Sequence, residues 1–229
     1  LWLSALMAEI LMVIAPEGFR DEEYFEVKEE LEKKGHKVIV GSLKDTAVSS
    51  EEAKEVVVDV LIEEADMGDY DGLVFAGGPG TQVYFENEKV LEMCYQTIEQ
   101  GKILGAICAG PGILARAGVL EGKRATAFPT EKVHLDAGGA ITSDSHVVID
   151  GQIITADGPK VAREFGVKLG ELLNLDDDGD YGEEENDDGY YPIAKEEVKE
   201  VNDESFPGNK PYYEEQEKNY EKRVDEDSE

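Results

Sequence analysis

The sequence is poor in cysteine and in basic residues. Two cysteines among 229 residues cannot form a disulfide framework, and their scarcity favours a reducing compartment. Lysine and arginine total 22 against 53 aspartates and glutamates, which gives a formal net charge of −31. Nucleic acids and anionic lipids bind through clustered basic side chains, so this charge argues against both as partners.

Long hydrophobic runs are also missing. Residues 1–15 carry one charge, Glu9, but they are fewer than the roughly 20 apolar residues that a membrane span needs. We therefore predict no membrane span and interpret residues 1–8 as a hydrophobic N-terminal extension. The alternatives are the remnant of a processed leader and an arm that docks on a neighbouring subunit. We expect a cytoplasmic location, or an extracellular one if Leu1 marks a processed N-terminus.

The density of acidic residues rises sharply toward the C-terminus. Residues 174–229 contain 22 acidic and 6 basic residues, whereas residues 1–173 contain 31 and 16. Aliphatic periodicity also stops at Leu173. We therefore predict a folded domain at 9–173 and a separate acidic tail at 174–229.

Apolar runs bounded by turn residues alternate with helical patterns along residues 9–173. The predicted strands are 10–15, 37–40, 56–61, 72–76, 103–107, 147–149 and 153–155. The predicted helices are 21–34, about 18 residues ending near Gly101, 109–117 and 159–173. This alternation predicts an α/β fold with a mostly parallel sheet and helices on both faces. The last two strands are joined by Asp150-Gly151, a hairpin signal.

One cysteine stands where ligands bind in such sheets, at the carboxyl end of a strand. Cys108 follows the strand at 103–107 and precedes a helix, so that backbone N–H groups point back toward the thiol. Such donors favour a thiolate and can hold an oxyanion, so we expect a pKa below the usual value of about 8.5. The alternative is that Cys108 is a small buried residue at the end of the sheet. Cys94 lies in a helical apolar pattern and is predicted to be a core residue.

Several motifs together resemble the DJ-1/PfpI superfamily, which is related to class I glutamine amidotransferase folds. They are Ala106-Ile107-Cys108-Ala109-Gly110-Pro111, Phe19-x-Asp21-x-Glu23 before Gly35-His36-Lys37-Val38, Tyr70-Asp71-Gly72-Leu73-Val74, Gly118-Val119-Leu120-x-Gly122-Lys123 and Ile154-Thr155-Ala156-Asp157-Gly158-Pro159. The resemblance implies a flavodoxin-like three-layer sandwich that forms homo-oligomers. The activities it implies are glyoxalase or deglycase chemistry, peptidase activity, chaperoning and oxidative-stress sensing.

The residues that accompany the cysteine in this superfamily match less well. Alignment places Arg20 at the position of the glutamate that members resembling the human protein keep near the cysteine, and a shifted alignment supplies Glu17 or Glu22 instead. Glu23 lies in the same segment. A family histidine falls at Phe128. In the peptidases of the superfamily, the histidine that follows the cysteine and the glutamate in the glycine turn correspond to Ala109 and Gln82. The chain thus resembles a divergent subgroup, and peptidase activity is not expected.

The three histidines do not replace the missing ones. His36 and His146 are predicted to be structural or exposed, and His134, on a helix after Pro129, is the best remaining candidate. A cysteine without a histidine base still reacts once its thiolate forms.

These observations lead to two hypotheses about function. In the first, Cys108 is the nucleophile of a hydrolase or lyase that acts on a small electrophile such as a 2-oxoaldehyde adduct. The N–H groups of Gly78 and Ala109 would form the oxyanion hole, and Arg20 or Glu23 would lie near the thiol, with Arg20 stabilising a thiolate or a sulfinate. In the second, the fold serves redox sensing, chaperoning or self-assembly without turnover. Neither hypothesis requires a cofactor in the core domain.

The start of the tail matches the twelve-residue calcium loop. Oxygen ligands and the sixth-place glycine fall at the expected positions, and the candidate ligands are Asn174, Asp176, Asp178, Asp180 and Glu185. No outgoing helix follows residues 174–185. The alternative is a solvated acidic tail without a metal.

Overall fold

A computed structural model describes residues 7–174. Its strands, in chain order, are β1 (Glu9–Val13), β2 (Glu17–Phe19), β3 (Lys37–Ser42), β4 (Thr46–Ser49), β5 (Glu55–Val57), β6 (Val60–Leu61), β7 (Gly72–Phe75), β8 (Ile103–Ile107), β9 (Arg124–Ala125), β10 (Ile141–Thr142), β11 (Val147–Asp150) and β12 (Ile153–Ala156). Its α-helices are α1 (Asp21–Lys33), α2 (Glu88–Glu99), α3 (Pro111–Arg116), α4 (Lys132–Ala137) and α5 (Ala162–Leu172).

Seven strands form the central sheet, in the order β11-β12-β8-β7-β1-β3-β6. All pairs are parallel except β11 with β12, which form the predicted hairpin. The middle strands consist of aliphatic residues because both of their faces are covered, and residues 10–14 are fully buried. The prediction of a mostly parallel α/β sheet is confirmed.

The connections place helices on both faces of the sheet. The chain passes from β1 through α1 to β3 in one direction along the sheet, and from β7 through α2 to β8 in the other. Because such crossovers are right-handed, α1 and α2 lie on opposite faces. Helix α5 packs beside α1, and Cys94, on α2, is buried in the core as predicted.

Two predicted elements are interrupted. The long helix expected before Gly101 consists of a 3₁₀ segment at Pro79–Tyr84 and then α2, because the Asn87 side chain accepts the Val90 N–H at 3.0 Å and starts a new helix. The strand expected at 56–61 divides into β5 and β6. Between them the carboxylate of the exposed Asp59 accepts the Val40 N–H at 2.8 Å.

A small sheet, β2-β4-β5, lies beside the start of α1. The buried Asp21 carboxylate joins the two, since it accepts a hydrogen bond from the Ser49 hydroxyl at 2.7 Å and from the Glu51 N–H at 3.0 Å. This contact fixes the loop between β1 and α1, which runs past the end of the central sheet.

The last described residue is Asn174, whose side-chain amide donates to the Gly170 carbonyl at 3.0 Å. Residues 1–6 and 175–229 lie outside the described part of the chain, and with them most of the predicted extension, the acidic tail and four of the five candidate calcium ligands. Those assignments stay predictions. Within residues 7–174, every helix is too short or too polar to cross a bilayer.

Candidate functional site

Cys108 occupies a strained turn between β8 and α3. Its φ is +62°, and among the described non-glycine residues only Ala53, at +50°, also has a positive φ. The flanking backbone holds this conformation, because the Cys108 N–H donates to the Ala156 carbonyl at 2.8 Å and its carbonyl accepts the Phe128 N–H at 3.0 Å. Strain maintained by such contacts is typical of a functional turn that presents a nucleophile.

The glycine turn after β7 lies directly against the cysteine. A Cβ atom on Gly77 would stand 2.7 Å from the Cys108 Cβ and 2.6 Å from Glu23 Oε2. No side chain fits in that space, so glycine is required if the backbone of β7, the thiol and the carboxyl group are to approach one another. The sheet therefore brings residues from three distant parts of the sequence to one point.

Glu23 is the carboxyl group at this point, and none of its surface is exposed. Its Oε2 atom accepts the Gly77 N–H at 2.9 Å, and hydrogen bonding to the Cys108 thiol also acts on its pKa, while its Oε1 atom is buried without a hydrogen-bond partner. Burial raises the pKa of Glu23 to about 7, although these two hydrogen bonds and the charge of Arg20 oppose the shift. Glu23 can therefore both accept and donate a proton near neutral pH.

The thiol does not have the lowered pKa that the sequence led us to expect. Burial and the neighbouring Glu23 charge raise the pKa of Cys108, and they outweigh the N–H groups of Ala109 and Gly78, which lower it. The helix that follows the cysteine has only six residues, so its dipole is small. The Glu23 carboxylate beside the thiol therefore has the larger effect on the thiol pKa. The expectation of a lowered thiol pKa is therefore wrong.

The two backbone donors predicted for an oxyanion hole act on the cysteine. Hydrogen bonding by the Gly78 and Ala109 N–H groups lowers the pKa of Cys108 and so opposes the effect of burial. Gly78 has a φ of +115°, and a Cβ on it would stand 2.4 Å from the Gly18 carbonyl oxygen. The glycine turn can adopt this path only without a side chain, and the path aims its N–H at the cysteine.

Comparison with known proteins shows the family of the chain. The family model described as "DJ-1/PfpI family" matches residues 8–172. The chain belongs to the DJ-1/PfpI family. It is 39% identical over 165 residues to an uncharacterised protein of Methanocaldococcus jannaschii, a match that covers 71% of this chain and 80% of the relative. It is also 32% identical over 149 residues to a protein of Pyrococcus abyssi named deglycase, covering 65% of this chain and 90% of the relative.

A solved structure of the same family shows the same fold. The ThiJ/PfpI domain protein from Brachyspira murdochii superposes with a TM-score of 0.71 at 31% identity, covering 73% of this chain and 97% of the other. The α/β architecture with a mostly parallel sheet is therefore that of the DJ-1/PfpI family.

Arg20 does not take the position beside the thiol that its alignment with the family glutamate suggested. Its guanidinium donates to Glu22 at 2.7 Å and to Glu51 at 2.6 Å. Its backbone N–H does contribute to the site, since it donates to the Gly77 carbonyl at 2.9 Å. The expectation that Arg20 pairs directly with a thiolate is therefore wrong, because the carboxylates of Glu22, on α1, and of Glu51 bind its side chain.

The carboxyl group beside Cys108 comes from Glu23, and the other two candidate glutamates point elsewhere. Glu17 is exposed and pairs with Lys44, and Glu22 pairs with Arg20. A sequence signal for Glu23 exists: it lies four and eight residues before Val27 and Leu31, which are both fully buried. Burying a glutamate on the apolar face of a helix costs free energy unless the carboxyl group is paired or has a function. Its spacing from Val27 and Leu31 therefore marks Glu23 as a candidate site residue.

Each of the three histidines has a partner other than the thiol. His36 is buried and its Nε2 lies 3.2 Å from the Gly170 carbonyl, while the exposed His146 pairs with Asp157 at 2.7 Å. His134 packs edge-on against Phe85, with ring centroids 5.1 Å apart, and burial lowers its pKa. Within residues 7–174, acidic, histidine and cysteine side chains form no group of three that could hold a metal.

Proposed function

We propose that the chain uses Cys108 and Glu23 to convert small 2-oxoaldehydes, or the adducts they form, by glyoxalase- or deglycase-type chemistry. The observation that carries the proposal is the close approach, across Gly77, of a strained, half-buried thiol and a fully buried carboxyl group whose pKa is raised to about 7. A general base works best when its pKa lies near the operating pH. The deglycase name of the relative from Pyrococcus abyssi agrees with this class of reaction.

The first step is addition of sulfur to the aldehyde carbon. The Cys108 sulfur forms a bond to that carbon, the carbonyl π bond breaks, and the thiol proton passes to Glu23 through their hydrogen bond. The negative charge that develops on the substrate oxygen would be held by the N–H groups of Gly78 and Ala109, which surround the sulfur. Glu23 then returns its proton to that oxygen and leaves a hemithioacetal.

The later steps use Glu23 a second time, to move a proton between the two carbons of the bound substrate. Glu23 takes the proton from the former aldehyde carbon and returns it to the neighbouring carbon, while the hydroxyl proton of the hemithioacetal moves to the neighbouring oxygen. The product is a thioester of a 2-hydroxy acid. Water cleaves the thioester, releases the 2-hydroxy acid and restores the thiol. The net reaction adds one water to the 2-oxoaldehyde and needs no oxidant.

A peptidase is not proposed. Ala109 stands where an imidazole would protonate a leaving amine, and such assistance is worth about 10²–10⁴-fold. The leaving amine of a peptide needs this proton, whereas addition of the thiol to a free 2-oxoaldehyde has no leaving group.

The test is product formation from methylglyoxal by the full chain. We expect the 2-hydroxy acid, lactate, to form with wild-type protein, and we expect Cys108→Ser to abolish it. The matched control is Cys94→Ser, which removes the other thiol, buried on α2, and should retain turnover if it folds. Absence of lactate with folded wild-type protein, with methylglyoxal or a glycated amine as substrate, would favour the non-catalytic alternatives: redox sensing, chaperoning or assembly.

A further inference from the structure

The proposed reaction gives no role to Phe128, an aromatic residue that is hydrogen-bonded to the Cys108 turn. Phe128 is 40% exposed, although its backbone N–H is bonded to the Cys108 carbonyl at 3.0 Å. Leaving a phenyl ring in water forfeits the free energy of its burial. An exposed ring next to a reactive thiol therefore has a surface available to a ligand.

The position of the ring is defined by the strand on the other side of the cysteine. The Phe128 Cδ2 atom lies 3.3 Å from the place that a Cβ on Gly158 would occupy. Gly158 follows β12 by two residues, and the last residue of that strand, Ala156, accepts the Cys108 N–H. The ring thus covers the carboxyl end of β12, immediately beside the turn that carries the thiol.

Two other exposed apolar residues, Val83 and Val133, belong to segments that meet at the start of α3, the helix that follows Cys108. Val83, 49% exposed, precedes Phe85, and Val133, 46% exposed, precedes His134. The Phe85 and His134 rings contact each other, and both approach Gly112 in the first turn of α3. Two short segments that meet at the start of α3 thus supply three of the six large hydrophobic residues that are exposed within residues 7–174: Val83, Phe128 and Val133.

The charges around the thiol do not favour an anionic substrate. Glu23 is the carboxyl group beside Cys108. The nearby guanidinium of Arg20 is paired with Glu22 and Glu51, and that of Arg116 lies over the Phe85 ring, 5.0 Å from its centroid. The protein as a whole carries a formal charge of −31. A phosphorylated 2-oxoaldehyde would be repelled by this field, whereas an uncharged apolar substituent would not.

We propose that Phe128 determines specificity and selects 2-oxoaldehydes that carry an aromatic or bulky apolar substituent over methylglyoxal. This inference rests on the proposed function, because it names the substrate class of the same site. The substituent packs against the Phe128 ring while its aldehyde carbon faces the Cys108 sulfur. A methyl group is too small to cover the ring and leaves it in water.

The experiment compares phenylglyoxal with methylglyoxal as substrates of wild-type protein and Phe128→Ala, using initial rates of mandelate and lactate formation. For each protein, the kcat/KM for phenylglyoxal is divided by the kcat/KM for methylglyoxal. This ratio is then compared between wild type and variant, so that the intrinsic reactivities of the two substrates cancel. We expect Phe128→Ala to lower the ratio of phenylglyoxal to methylglyoxal by about 10-fold, the lower end of what one apolar pocket contact contributes. Phe128→Leu, which keeps an apolar side chain, should lower the ratio less.

Ile141→Ala is the matched control, since Ile141 is 58% exposed on β10 and should leave the ratio unchanged. Thermal melting of each variant establishes that it is folded, and the Phe128→Leu variant keeps the test valid if the alanine variant is not. Turnover of both substrates with the same ratio in wild type and the Phe128 variants would overturn the specificity role and leave the proposed function standing. Failure of wild-type protein to convert either substrate would overturn the proposed function itself, and this inference with it.

Discussion

Replacing Glu23 with glutamine should stabilise the protein at alkaline pH and not at acidic pH. The carboxyl group has an ordinary pKa of 4.5 and a pKa of about 7 in the folded protein. The folded state therefore binds the proton more tightly than the unfolded chain. The stability associated with this proton is fully present below pH 4.5 and is lost as the pH rises to about 7, after which the loss is constant.

The size of the effect follows from the shift. Each unit of pKa difference corresponds to about 1.36 kcal/mol, so burying the ionised Glu23 costs about 3 kcal/mol above pH 7. Glutamine is neutral at every pH and nearly isosteric, and its side-chain oxygen can still accept the Gly77 N–H. In a domain of this size, about 3 kcal/mol corresponds to a rise in Tm of roughly 6–12 °C.

Urea unfolding of both proteins at pH 5 and pH 8.5 measures this difference. We expect the free energies of unfolding to be nearly equal at pH 5, and the glutamine variant to be more stable at pH 8.5. Glu22→Gln is the control, because Arg20 lowers the pKa of that carboxyl and its replacement should not stabilise the protein at alkaline pH. A difference between wild type and Glu23→Gln that is the same at both pH values would refute the reasoning.

Three further predictions concern the thiols, peptide cleavage and the tail. Iodoacetamide should label Cys108 in the native protein and leave the fully buried Cys94 unlabelled, as judged by mass spectrometry; equal labelling would contradict the site geometry. Purified protein should not cleave casein, and proteolysis that Cys108→Ser removes would overturn the exclusion of peptidase activity. Deleting residues 174–229 should leave the domain folded by circular dichroism. If the calcium loop is real, calorimetry should detect calcium binding to the full chain alone, whereas identical heats for both chains would mean that the match is accidental.

Much of the fold could be predicted because its signals are local. Buried parallel strands are aliphatic runs such as residues 103–107, and glycines mark their ends. Helix α1 and the hairpin at Asp150-Gly151 were predicted for the same reason. The long helix before Gly101 was predicted wrongly because a capping side chain, Asn87, interrupts an otherwise helical pattern.

The candidate site was only partly predictable because its contacts are made in space. The position of Cys108 follows from the strand that precedes it, but its partner Glu23 lies 85 residues earlier in the sequence. Alignment of short motifs placed Arg20 there, three residues away from the group that reaches the thiol. The predicted direction of the shift in the thiol pKa was wrong for the same reason. The start of a helix can be recognised in the sequence, whereas a carboxylate that faces the thiol from a distant segment cannot.

The central claim is that Cys108 and Glu23 act as one proton-sharing pair, and the pH dependence of kcat/KM from pH 5 to pH 9 tests it most directly. Glu23 must be ionised to take the thiol proton, so the wild-type value should rise through a midpoint near its pKa of about 7 and level off above it. In Glu23→Gln the rate should fall about 10²–10⁴-fold, the range typical of a lost general base, and the midpoint near 7 should disappear. The same rate and the same profile in both proteins would contradict the account.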